Sequence, residues 1–153
     1  MTNESRFADH LLTKPMKAAY VYFIQEGDDG PIKIGIAFDP FQRLGNMQVG
    51  NSRPLKLLHC LSDHGATEGR IQGIFEDSHL RGEWYNPTDD LLTFIADIKT
   101  KTDGRVRQYI SRAIKMRQDE LAKRRKDNQM AKDEDRKAFR KSLRQPAEGD
   151  LCA

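Results

Sequence analysis

The sequence predicts an α/β (α+β) fold, in which three short strands and flanking helices are followed by a long basic C-terminal helix. Two observations support it. Strand-like and helix-like segments alternate up to residue 103, and beyond that point the chain becomes basic and poor in apolar residues. A chain of 153 residues has room for one domain of about 100 residues and an appendage. We therefore expect an N-terminal arm (1–16), a domain (17–103), a basic helical extension (104–145) and a disordered tail (146–153).

Three segments have the composition of β-strands. Residues 19–24 are rich in aromatic and β-branched side chains, and in residues 32–37 isoleucine occupies every second position. The intervening residues 27–31 contain two glycines and a proline, which predicts a turn and therefore a hairpin. Residues 55–61 supply the third strand.

Helices are predicted between and after these strands. Asp39 followed by Pro40 indicates a helix start, because the carboxylate can cap the helix and proline has no N–H to leave unpaired. Residues 65–75 show a second helical pattern, and Thr88 is expected to cap a third helix that ends near Asp103. The predicted order is β-β-α-β-α-α.

A long helical pattern follows. Val106, Ile110, Ala113 and Leu121 form an apolar stripe, but beyond Leu121 apolar residues are too sparse for a coiled coil. We expect about four turns of this helix to pack on the domain and the remainder to be solvated.

The charge of the chain is unevenly distributed. Residues 1–103 contain 11 Lys or Arg and 15 Asp or Glu (net −4), whereas residues 104–145 contain 15 and 6 (net +9). Such a basic segment attracts polyanions through counterion release, and Arg112 and Lys115 are its predicted nucleic-acid contacts. The alternative is a charged, solvated helix that only maintains solubility.

Several classes of protein are not expected. The chain has no uninterrupted apolar stretch long enough to span a membrane and no basic-then-apolar signal pattern. Cys60 and Cys152 lack the paired spacing of a redox or zinc motif, which favours a reducing, cytoplasmic location. His59 and His64 are not at metal-ligand spacing, so a structural zinc site is not predicted.

An ordered set of short motifs carries the functional interpretation. Val21-Tyr22-Phe23 is followed by Lys33-Ile34-Gly35, then by Asp39-Pro40-x-x-Arg43-Leu44, by Glu68 on a helix, and by Gly82-Glu83-Trp84-Tyr85. This set resembles the GIY-YIG nuclease superfamily, and is most similar to its phage- and fungus-associated branch. The similarity covers approximately residues 18–98.

The resemblance implies a small three-stranded antiparallel sheet flanked by helices and a metal-assisted hydrolysis of nucleic-acid phosphodiester bonds. By position, the catalytic tyrosine is Tyr22, the motif glycine is Gly35, the helix arginine is Arg43 and the metal-binding glutamate is Glu68. The implied cofactor is Mg²⁺ (or Mn²⁺), and the expected partner is nucleic acid, with DNA favoured.

These residue types suit the reaction. A guanidinium donates parallel hydrogen bonds to phosphate oxygens, which fits Arg43, and Mg²⁺ can be held by one carboxylate together with the substrate phosphate, which fits Glu68. Tyr22 must accept a proton, but a phenol ordinarily titrates near ~10 and needs a neighbouring cation. Lys33 stands where the superfamily has a second tyrosine, and we hypothesise that it approaches Tyr22 and favours the phenolate.

Four further residues are candidates for binding substrate. Gly35 is expected to let a phosphate or the short helix come close. Gln72, where the branch usually has histidine, can hydrogen-bond a phosphate or a metal-bound water. Trp84 can stack on a base or form a lid on the core. Asn86 is a candidate at the position of a late family asparagine.

Structural roles remain open for the catalytic set: Tyr22 as a core aromatic, Arg43 as a surface residue and Glu68 as an exposed helix glutamate. The sequence therefore predicts a divalent-metal-dependent endonuclease. The alternative is a GIY-YIG-like nucleic-acid-binding or regulatory protein with little or no activity, as the lysine at 33 and the glutamine at 72 would allow.

Overall fold

The computed structural model describes residues 19–63 and 66–143. Within them the chain forms a five-stranded sheet. The strands are β1 (Tyr20–Glu26), β2 (Ile32–Ala37), β3 (Leu55–Ser62), β4 (His79–Arg81) and β5 (Trp84–Tyr85). They lie in the order β3-β1-β2-β5-β4, and every neighbouring pair is antiparallel.

The predicted three-stranded sheet is therefore wrong in strand number, although its three strands are present and antiparallel. The two additional strands, β4 and β5, span only three and two residues and are joined at Gly82, which adopts a positive φ of 58°. Strands this short contain too few residues for an alternating pattern to be recognised. β5 pairs with the side of β2 that faces away from β1, and β4 pairs with β5, so the two strands extend the sheet beyond the hairpin.

The helices are α1 (Pro40–Val49), α2 (Thr67–Ile74), α3 (Asp89–Lys99) and α4 (Asp103–Ser142). The predicted start of α1 is confirmed, because the Asp39 carboxylate accepts a hydrogen bond from the Gln42 N–H at 2.9 Å. Thr88 likewise caps α3 through the Leu91 N–H.

The second helix begins later than predicted. Residue 66 takes a left-handed conformation (φ 56°), and the Thr67 N–H at the start of α2 donates to the Asp63 carboxylate at 3.2 Å. His64, named in the sequence analysis, lies outside the described residues.

The core lies on both faces of the sheet. On one face Tyr22, Ile24 and Leu55 form a buried cluster against which Leu44 and Met47 of α1 pack. Phe94 of α3 packs against Phe23 and Phe75, with ring centroids 6.4 Å and 5.2 Å away.

The chain divides into two compact units between Ser111 and Arg112. Val106 and Ile110, in the first turns of α4, are buried in the first unit, and Tyr109 donates a 2.7 Å hydrogen bond to Asp97 of α3. The residues of α4 from Arg112 onwards form the second unit, which is almost entirely exposed. None of the described helices combines the length and the apolar character needed to cross a membrane. The predicted N-terminal arm and disordered tail lie outside the described residues.

Candidate active site

Tyr22, Gly35 and Arg43 meet on the α1 side of the sheet. Tyr22 and Gly35 are opposite each other in the β1–β2 ladder, so they share a face. The Tyr22 ring crosses over Gly35, and a β-carbon added at Gly35 would lie 2.6 Å from the tyrosine Cζ. Arg43 of α1 reaches the same point, where its Nε donates to the Tyr22 Oη at 3.4 Å. The group that comes close to Gly35 is thus the Tyr22 ring, whereas the sequence analysis expected a phosphate or the short helix there.

Arg43 is the cation beside the phenol. The hydrogen bond to Tyr22, and then the electrostatic interaction with it, raise the pKa of the Arg43 guanidinium above its ordinary value, and Glu83 acts in the same direction. The guanidinium therefore remains charged. Because Nε is used on Tyr22, the two Nη groups are the donors that can reach a phosphate.

Lys33 has a different set of neighbours from the one hypothesised. In the β1–β2 ladder it is opposite Ile24, which is two residues along β1 from Tyr22. Its ammonium forms an ion pair with the Glu83 carboxylate at 2.5 Å and lies 5.6 Å from the ring centroid of Trp84. Among the described residues, the cation that hydrogen-bonds to Tyr22 is Arg43.

Glu68 and Gln72 lie on neighbouring turns of α2, beside the edge of β2. The Gln72 amide donates to the Ile34 carbonyl oxygen at 3.0 Å and to Glu68 Oε1 at 3.3 Å. The first bond ties α2 to β2, and the second, within α2, orients the carboxylate. Gln72 therefore positions Glu68 through its Nε2, and its predicted contact with substrate stays a prediction.

The Glu68 carboxylate is in an electrostatically costly place. Partial burial raises its pKa, Glu83 and Asp63 raise it further, and Lys33 opposes them with a smaller effect. A cation bound there would relieve this accumulation of negative charge. Among residues 19–63 and 66–143, no three His, Cys, Asp or Glu side chains are grouped so that they alone could hold a metal. One carboxylate with a substrate phosphate is sufficient for Mg²⁺, and Glu68 meets that requirement.

Glu83 is a residue of this site that the sequence analysis did not identify. It precedes β5, and its carbonyl oxygen accepts a 2.9 Å hydrogen bond from the Ile34 N–H, which holds the residue beside β2. Its carboxylate pairs with Lys33 and acts electrostatically on both Arg43 and Glu68. The signal for it was present in the Gly82-Glu83-Trp84-Tyr85 motif, but only the β2–β5 pairing shows that it faces the other charged groups.

The remaining predicted residues are distributed more widely. Trp84 is half-buried against the Tyr22 cluster, and Lys33 lies over its ring. The Trp84 side chain therefore covers part of the core. Asn86 is exposed, and its backbone bonds to Ser78 and Thr88. Arg112 and Lys115 are exposed on the part of α4 that belongs to the second unit.

Comparison of the chain with protein-family models, with curated proteins and with solved structures found no match. The resemblance to the GIY-YIG superfamily consequently depends on the motif residues.

Proposed function

We propose that this protein is a divalent-metal-dependent endonuclease that hydrolyses phosphodiester bonds in nucleic acid, with DNA as the expected substrate. The observation that carries the proposal is the hydrogen bond from Arg43 Nε to Tyr22 Oη above Gly35. It joins a proton acceptor and a phosphate-binding cation from two separate elements, as this reaction requires.

The residues have distinct roles in the proposed reaction. Tyr22 acts as the phenolate, whose negative charge the adjacent guanidinium stabilises, and its Oη accepts the proton of the attacking water and so becomes the neutral phenol. The Nη groups of Arg43 hold the phosphate and stabilise its transition state. Glu68, oriented by Gln72, would hold the metal ion, which would supply charge neutralisation at the phosphate.

Cleavage of supercoiled plasmid tests the proposal. We expect wild type to nick it only with Mg²⁺ or Mn²⁺, and Glu68→Ala to be slower by at least about a hundredfold. Glu76→Ala is the matched control, because Glu76 is an exposed glutamate close to the end of α2. A metal-independent reaction, or equal rates for Glu68→Ala and Glu76→Ala, would contradict the proposed mechanism.

A second candidate is a nucleic-acid-binding protein that does not cut. The burial of Tyr22 favours this candidate. A general base must contact the water that it deprotonates, and the Tyr22 side chain is only 1% exposed. Salt-sensitive DNA binding by wild type, together with no cleavage in either metal, would select it. The two candidates share the same fold and the same basic helix, so turnover is what separates them.

A further inference from the structure

A cleft of about 190 Å³ lies within the first unit, away from the Tyr22–Arg43 pair. Its walls come from the end of β3, the outer side of α2 and the first turns of α4. Thr67 and Arg70 line it from α2, whereas Glu68 and Gln72 are offset around the same helix toward β2. One helix therefore contributes to two different sites.

Two arginines converge on the cleft. Arg70 comes from α2 and Arg107 from α4, and both side chains are exposed. Within the part of the chain that the structure describes, neither guanidinium has an ion-pair partner, although Asp103 lines the same cleft. Two guanidiniums against one carboxylate leave an excess of positive charge with planar donors, an arrangement that suits a phosphate.

The rest of the lining is divided between an apolar floor and hydroxyl groups. Leu61, Val106 and Ile110 are buried, at 9%, 5% and 4% exposure, and form the floor. The hydroxyl groups are those of Ser62, Thr67 and Ser111. An apolar floor with a few polar groups around it is the usual composition of a small-molecule site, and a cleft of this size would enclose only part of such a ligand.

From these contacts we infer that the cleft binds a nucleoside phosphate, with the phosphate on Arg70 and Arg107 and the base against the floor formed by Leu61, Val106 and Ile110. The hydroxyl groups and Asp103 supply acceptors and donors for the sugar and the base edge. The phosphate has two sources, a free nucleotide or the backbone of a bound strand. This inference does not depend on the proposed nuclease activity.

Titration of the full-length protein with adenosine 5′-monophosphate, followed by amide chemical shifts, tests the inference. We expect saturable shifts at Thr67, Arg70 and Ser111, and about tenfold weaker binding by Arg107→Gln, which corresponds to ~1.4 kcal/mol. Arg105→Gln is the matched control, since Arg105 is an exposed arginine on the same turn of α4 that does not line the cleft. Its affinity should equal that of wild type.

Three other measurements make the test decisive. Ser111→Leu, which fills the cleft, should abolish the shifts at Thr67 without changing the fold as judged by the remaining amides. Absence of saturable shifts in wild type, or equal weakening by Arg105→Gln and Arg107→Gln, overturns the inference, the latter because it indicates diffuse charge attraction. Competition by a short oligothymidylate assigns the cleft to a strand phosphate, and absence of competition assigns it to a free nucleotide.

Failure here would leave the nuclease proposal intact. Plasmid cleavage that requires Glu68 is measured separately, and neither Tyr22, Arg43 nor Glu68 lines the cleft to which Arg107 belongs. Conversely, a protein without cleavage activity can still bind adenosine 5′-monophosphate in this cleft.

Discussion

Gly35 leaves the space that the Tyr22 ring occupies beside β2. Gly35→Ala places a methyl group against the phenol, so we expect unfolding free energy to fall by about 1–3 kcal/mol and the tyrosine to leave Arg43. Urea denaturation measures the first effect, and cleavage or tyrosine fluorescence the second.

The matched control for this change is Gly45→Ala. A β-carbon at Gly45 has no atom within 4 Å, and the residue lies inside α1, so the alanine should stabilise the helix by about 0.5–1 kcal/mol. If both alanine variants were equally stable, the close approach of Tyr22 to Gly35 would be wrong.

Arg43 combines two tasks that lysine cannot combine. Its Nε serves Tyr22 while Nη groups remain for a phosphate, whereas a lysine has a single ammonium at the end of a flexible chain. We expect Arg43→Lys to slow single-turnover cleavage by about a hundredfold or more. Lys33→Met should slow it much less, because Lys33 pairs with Glu83 and not with Tyr22. A larger loss in Lys33→Met than in Arg43→Lys would restore the hypothesis based on sequence.

The ionised Glu68 carboxylate should lower the unfolding free energy of the metal-free protein. Because burial and two neighbouring carboxylates raise its folded-state pKa, the folded protein binds this proton more tightly than the unfolded chain. The resulting cost to stability is fully present above the folded-state pKa and disappears as the pH falls to the unfolded value.

We therefore expect Glu68→Gln to be more stable than wild type near neutral pH without divalent metal. The difference should shrink toward zero as the pH falls to about 4, where the carboxyl group of the unfolded chain also binds a proton. Urea denaturation of both proteins across this pH range measures the difference in unfolding free energy, with Glu76→Gln, at an exposed glutamate, as the control. A destabilised Glu68→Gln at neutral pH would show that the carboxylate has a compensating partner.

At the scale of elements, one tyrosine at the start of α4 makes both polar and aromatic contacts with α3. Tyr109 donates to Asp97, its ring packs on Phe94, and Lys101 lies 4.6 Å from its centroid. Tyr109→Phe keeps the ring and removes the hydrogen bond, so we expect a loss of about 0.5–1.5 kcal/mol in urea denaturation. Tyr20→Phe, in which no described hydrogen bond is lost, should leave stability nearly unchanged.

The same tyrosine should give a pH signature. Burial, and then the hydrogen bond and charge of Asp97, raise the pKa of Tyr109 to about 12. A raised folded-state pKa means that its contribution is complete below the unfolded value and is lost as the pH rises through about 10 to 12. Wild type should therefore lose its advantage over Tyr109→Phe in that window. A constant difference between the two proteins would contradict this assignment.

At the scale of the whole molecule, the charge is divided between the two units. We expect DNA affinity to fall steeply with salt, and Arg112→Gln/Lys115→Gln to reduce the slope of log affinity against log salt by about 2. Both residues are exposed, so the melting temperature should not change. Arg81→Gln/Lys99→Gln, with the same loss of charge from exposed sites in the first unit, is the control. An equal reduction in both double variants would mean that net charge, and not the α4 residues, governs binding.

Much of the fold could be predicted from the sequence because the relevant signals are local. The isoleucines at every second position of β2, the Asp39–Pro40 start of α1 and the Thr88 cap of α3 each act within a few residues. The β4–β5 hairpin was missed because its strands are too short to show a period.

The sequence by itself determined the residue types available for chemistry, the order of the main elements and the division of charge along the chain. Only the tertiary structure decided that Arg43, and not Lys33, meets Tyr22, that Glu83 joins the charged group, and that the Gln72 amide is used to hold Glu68. The reason is physical: periodicity and capping depend on neighbours in the chain, whereas these contacts depend on strand register and helix docking between residues far apart in sequence.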